Sequence, residues 1–261
     1  MPRSPAAARV LPAAVCCAAA LLTATACTAG GGRDAGAAAT EAAPSRPAAP
    51  ASPTGAAMLT AAQAQAALLT ETDLGAPWAP TDGAATWRDG VLKAQTDIAG
   101  CARLMDSLYA DEPLGTPTGT RAVVAYDDAD DQAQLRYQVL SLHAADVDRS
   151  LAWLRTLPRS CAQFTAETTA SGTQDVRVSD LALPAVGDAR QGLRITFTGE
   201  TDEDGDAGTL TLDVVAVRVG DDAIVVSDGA LGALPPDATT QAVTLGVRRL
   251  TDARQKARAQ A

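Results

Sequence analysis

In "GLRITFTG", Leu193, Ile195 and Phe197 alternate with Arg194, Thr196 and Thr198. That two-residue period predicts a strand with one face in a core. It recurs on either side of an acidic turn in "GTRAVVAYDDADDQAQLRYQVLSL". There Val124 and Tyr126 share a face of one strand, and Leu135, Tyr137 and Val139 share a face of the next. "TLTLDVVAVRVGDDAIVVSD" predicts two strands about a Gly220–Asp221 turn. Both faces are largely apolar from Val214 to Val219, which marks that strand as central. A further strand runs from Val176 to Leu183 and ends at Pro184.

Helical spacing appears in three places. "LTAAQAQAALLTETDLG" opens with Thr60 and Gln63 placed as a capping box and closes at Gly75, with Ala61, Ala64, Leu68 and Thr72 on one face. Val147, Leu151, Leu154 and Leu157 define a helix from Ala144 to Leu157, stopped by Pro158. A last helix starts near Asp237 after Pro235 and Pro236 and buries Val243, Val247 and Leu250. A short helix is predicted from Cys101 to Leu108. This order of elements predicts an α+β fold, an antiparallel β-sheet with helices packed on one face.

Residues 1–26 follow a different pattern. Arg3 and Arg9 precede an apolar run from Val10 to Ala26, and Ala24-Thr25-Ala26 fits a small-x-small cleavage site directly before Cys27. This is the layout of an export signal. It resembles the lipobox of bacterial lipoproteins, in which a peptidase cleaves before the cysteine and the thiol takes diacylglycerol. Ala24 stands where leucine is commonest. Cys27 is therefore the expected lipidation site, palmitate and related acyl chains are the expected membrane device, and the extracytoplasmic face of the cell membrane is the expected location. Without acylation the chain would be secreted. Residues 27–57 are rich in alanine, proline and glycine and are expected to form a disordered tether. Residues 58–261 then form one domain.

Export changes the meaning of the cysteines. Cys16 and Cys17 leave with the signal and Cys27 takes the lipid, so Cys101 and Cys161 remain as an even pair in an oxidising compartment and are expected to form a disulfide. Closing a loop of that length is worth about 4 kcal/mol on the chain-entropy account. Removing the two acids and four bases that precede Ala57 from totals of 31 and 21 leaves 29 against 17, twelve net negative charges. Such a surface argues against nucleic acid and against anionic headgroups.

Chemistry is sparse. His143 is the only histidine, and Ser141 is the hydroxyl nearest to it in sequence. A polar histidine at a strand–helix boundary is a better reading than a triad. G-x-S-x-G, P-loop and dinucleotide motifs are absent, and neither a catalytic residue nor a cofactor is expected. Asp202, Asp204 and Asp206 alternate around Gly205 as calcium ligands do. A full loop would need a bidentate Glu where Asp213 stands, so a solvated turn is preferred and no metal site is assigned. The scarce aromatics supply the candidate ligand-binding set: Trp78, Trp87, Tyr126, Tyr137 and Trp153, with Arg194. They are expected to line a groove between the helix from Ala144 to Leu157 and the sheet. The basic run from Arg248 to Arg258 is read as a solvated helix end.

"LTAAQAQAALLTETDLG", a helix ending in cysteine, "LPAVGDAR", "VVAVRVGDDAIVV" and the terminal helix resemble actinobacterial lipoproteins with a PknH-like sensor-type domain. The resemblance implies an antiparallel sheet with helices, disulfides, and an open cleft for a ligand. No kinase motif accompanies it. Three functions follow. The first is a non-catalytic, membrane-anchored domain that binds a small apolar ligand or an envelope protein partner. The alternatives are an envelope assembly protein and a carboxylate-dependent cell-envelope hydrolase.

Overall fold

The computed structural model describes residues 58–260, apart from Asp82, Thr86, Asp131 and residues 202–206. The signal peptide, Cys27, the tether and the Asp202–Asp206 turn lie outside the described residues.

The described residues open with two short helices, α1 (Ala61–Ala66) and α2 (Glu71–Leu74). Thr60 and Gln63 form the expected capping box, but Thr70 starts a second one with Asp73, so one expected helix becomes two. A two-residue strand β1 (Ala79–Pro80), a π-helical turn (Arg88–Leu92) and β2 (Ala94–Gln95) lead to α3 (Ala99–Tyr109). The hairpin β3 (Arg121–Asp128) and β4 (Ala133–Ser141) follows. Next is α4 (Ala144–Leu154), shorter than predicted because Pro158 does not stop it. Proline lies instead in the first turn of a separate turn of helix, α5 (Leu157–Ser160), where its missing N–H costs nothing. Then come β5 (Gln163–Thr168), β6 (Gly172–Asp180), β7 (Ala189–Thr201), β8 (Ala207–Val219), β9 (Asp222–Leu231) and the long α6 (Ala238–Gln260).

The nine strands form one antiparallel sheet in the order β1-β3-β4-β9-β8-β7-β6-β5-β2. The α+β class with an antiparallel sheet is as the pattern predicts. β8 is the middle strand, as its two apolar faces require. β5, which the hydrophobic pattern does not predict, pairs with β6 near one edge.

The helices do not share one face. Leu212, Val214 and Ala216 of β8 pack with Leu193, Ile195 and Phe197 of β7 under α3, α4 and α5. Val215 and Val217 of β8 point the other way, into a second core with Ile224 and Val226 of β9 and the buried side of α1, α2 and α6. A strand apolar on both faces exposes one of them unless both are covered, so the helices divide between the two sides.

Cys101 of α3 and Cys161, which caps α5, form a disulfide with Cα atoms 5.7 Å apart inside the first core. The second core closes through a small residue. A Cβ on Gly246, midway along α6, would lie 2.4 Å from Cε2 of the fully buried Tyr137, so glycine lets the helix backbone settle onto that ring. At the β8–β9 turn, Gly220 takes φ +64° and sits under the Arg254 guanidinium, leaving no room for a side chain.

Candidate functional site

A cleft opens at the edge of the sheet, where β2 gives out. It encloses about 710 Å³ between residues 94–98, Ala102 and Asp106 of α3, and Phe164, Thr165 and Glu167 of β5. An adjoining hollow of about 390 Å³ shares Ala94, Gln95, Asp106 and Glu167 with it and adds Lys93. Local sequence accounts for this geometry. β2 pairs only Ala94 with Thr168 and Gln95 with Glu167. The chain then starts α3 at Ala99, with Ile98 in extended conformation before the helix and 49 % exposed. The lining carries Asp97, Asp106 and Glu167 and no base. It also holds no histidine or cysteine, so it contains no nucleophile–base pair. The three carboxylates are exposed, and no hydrogen bond of the described residues orients them. A catalytic acid needs desolvation and fixed geometry to tune it, and these groups have neither.

The six residues predicted to line one groove are divided between the two sides of the sheet. Trp78, Tyr126 and Tyr137 are buried in the core under α1, α2 and α6. There Tyr126 donates its hydroxyl to the Leu69 carbonyl at 2.8 Å and Tyr137 to that of Ala67 at 3.4 Å. Trp87 and Trp153 pack at the margin of the opposite core, in separate hollows. The Trp87 ring occupies the space where a Cβ on Gly229 would project, and Trp153 lies under the Arg103 guanidinium, 3.9 Å from its ring centre. The hollow at Trp153 runs between α4, Arg103 of α3 and residues 114–118. It does not run between α4 and the sheet, because Val147, Leu151 and Leu154 fill that interface. The rings separate because alternate strand residues, and helices on opposite faces, send them in opposite directions.

Arg194, itself exposed, reaches the edge of a buried carboxylate network. Its guanidinium binds both oxygens of Asp213, at 2.7 and 2.8 Å. Asp213 and Asp228 are paired across β8 and β9, and both are almost fully buried. Thr239 Oγ1 of α6 lies 2.8 Å from Asp228 Oδ2 and 3.2 Å from Asp213 Oδ2, while Asp228 Oδ1 has no hydrogen-bond partner. A hydroxyl has one proton and can satisfy one carboxylate. Both Asp213 oxygens are held by Arg194, so the Thr239 hydroxyl donates to Asp228, at the shorter of the two distances. Burial pushes the Asp228 carboxyl up to about 7, and the neighbouring Asp213 and Asp128 charges add to this against the opposing Thr239 bond and Arg194. This pair was not singled out from the sequence. The signal was there, because each acid interrupts a run of apolar residues in a central strand.

Two other expectations concern polar groups. Ser141 donates to Asp222 at 2.6 Å in a buried position, and Asp222 also pairs with Arg254. Ser141 is therefore committed to structure, while His143 is exposed before the first turn of α4. The C-terminal basic run is not simply solvated either. Arg254 is buried against Asp222, and Arg249 pairs with Asp73 of α2. No group of three or more metal-ligating side chains occurs among the described residues, and no described helix is long and apolar enough to cross a membrane.

No family model matches the chain, and no curated protein matches it. Four chains of solved structures do. One is the extracellular domain of PknH from Mycobacterium tuberculosis, at 14 % identity and TM-score 0.46, covering 77 % of this chain and 100 % of that one. A likeness of that extent defines neither a family nor a function.

Proposed function

We propose that the chain is an exported lipoprotein, anchored at the extracytoplasmic face of the membrane through Cys27. Its domain, of the PknH-like sensor type, binds a ligand or partner without catalysis. The observation that carries the binding reading is the cleft at the β5 edge: it is open, encloses about 710 Å³, and has no nucleophile–base pair in its lining. The export signal and the small-x-small site before Cys27 support the anchor, and the quoted sequence motifs support the domain type. With twelve net negative charges from Ala57 onward, the anchor must be the acyl chain rather than a basic patch.

Two experiments test this. Wild-type protein should partition with membranes, and Cys27→Ala should shift it to the medium or leave it unprocessed. A variant that stays membrane-bound with its signal removed would overturn the anchor. Mass spectrometry of the natively purified protein should find a co-purifying molecule. Ala102→Trp, which fills the cleft, should lose that molecule without lowering Tm. Retention of the molecule by this variant would overturn the placement of the site.

A further inference from the structure

The cleft is bounded by a strand whose outer edge is only partly paired. β2 covers Glu167 and Thr168, and among the described residues no strand lies beside residues 163–166 of β5 on the side away from β6. Ala162 accepts a hydrogen bond from the Val178 N–H, and the register to β6 is regular from Gln163 to Thr168. Antiparallel pairing alternates the direction of main-chain groups, so those of Gln163 and Thr165 point away from β6. An open row of donors and acceptors is a template for another strand. Resting on the binding reading above, we propose that this edge receives an extended cationic peptide segment, which adds to β5 as a strand in line with β2.

The chemistry of the rim selects the occupant. Asp97, Asp106 and Glu167 line the cleft, and Lys93 of the adjoining hollow offsets only one of them, so the rim stays acidic and favours lysine or arginine in the incoming segment. Phe164, Ala102 and the exposed Ile98 supply apolar surface beside the edge. A strand presents alternate residues to opposite sides, so a segment alternating basic and apolar residues matches both features. A second copy of this chain is a poor occupant, because edge-to-edge pairing would bring two sets of the same three acids together.

The test uses the purified domain with a fluorescein-labelled hexapeptide of alternating lysine and valine. Anisotropy should report binding. Methylating alternate peptide nitrogens, which blocks strand pairing and keeps the charge, should weaken it by at least about tenfold. The triple variant Asp97→Asn, Asp106→Asn, Glu167→Gln should also lose about tenfold at low salt. Among the described residues these exposed side chains make no hydrogen bond or ion pair, so the variant should fold like the parent. Hydrogen exchange at the Gln163 and Thr165 amides should slow when the unmodified peptide is added. Equal binding of the methylated peptide, or no new protection at those amides, overturns strand addition and leaves a binding cleft. Absence of peptide binding while wild type retains a molecule that Ala102→Trp loses also overturns the proposal and spares the reading beneath it. Absence of both overturns the two together.

Discussion

Replacing Asp228 by asparagine removes a proton-binding group from the centre of the sheet and leaves its shape. The amide oxygen can still accept from Thr239 Oγ1, as Asp228 Oδ2 does at 2.8 Å. The effect on stability depends on pH, and its sign follows from the raised pKa. Burial pushes the carboxyl from 3.8 to about 7. Below pH ~4 both folded and unfolded chains hold the proton, and its full contribution is present. Between about 4 and 7 the unfolded chain has released the proton that the folded chain retains, so wild-type stability falls as pH rises; above about 7 the loss is complete. Some three pH units at 1.36 kcal/mol each make this roughly 4 kcal/mol. Denaturant unfolding of wild type and Asp228→Asn from pH 4 to 8.5 should therefore show the variant gaining on wild type by an amount approaching roughly 4 kcal/mol across that window. Subtracting the two profiles cancels the other carboxylates. Two parallel profiles would refute the assignment of the proton to Asp228.

The remaining predictions concern single contacts. Cys161→Ser should cost about 2–5 kcal/mol, with the Cys101–Cys161 peptide found by non-reducing mapping only in wild type. Gly246→Ala gains helix propensity but drives a methyl into Tyr137, and a net loss of about 1–3 kcal/mol is expected from thermal unfolding; pairing it with Tyr137→Leu should recover part of that loss. Gly220→Ala should also destabilise, because its φ is positive and the Arg254 guanidinium covers it. His143→Ala, at an exposed position without a side-chain cap bond, should stay within about 0.5 kcal/mol of wild type.

Local periodicity carried the elements well where one face is buried. The alternation at Leu193, Ile195 and Phe197, the Gly220–Asp221 turn and the Thr60–Gln63 capping box all stand where the pattern places them. The pairing of Cys101 with Cys161 followed from their number and expected compartment, and the disulfide is formed. What periodicity does not carry is which helix covers which face. Nothing in α4 or α6 says that they lie on opposite sides of β8, and that division separates Trp87 and Trp153 from Trp78 and the two buried tyrosines. The cleft was illegible for a related reason. It depends on β2 ending after two residues and on β5 lying at its side, a relation between segments far apart in sequence.

The strand order also dictates when the domain can come into being. β4 finds its inner neighbour only in β9, with Ala133 opposite Ala230, and the sheet's middle strand is β8. A chain that emerges N-terminus first thus completes its periphery before its centre. Until the last third arrives, β4 has an unpaired inner edge and the apolar sides of α1 and α2 have no α6 to meet. Contacts so distant along the chain delay folding through loop closure and prolong the exposure of unpaired strands. The C-terminal helix acts as the closing step of assembly, so a chain truncated before Ala238 should accumulate as a sticky intermediate rather than as a smaller version of the same domain.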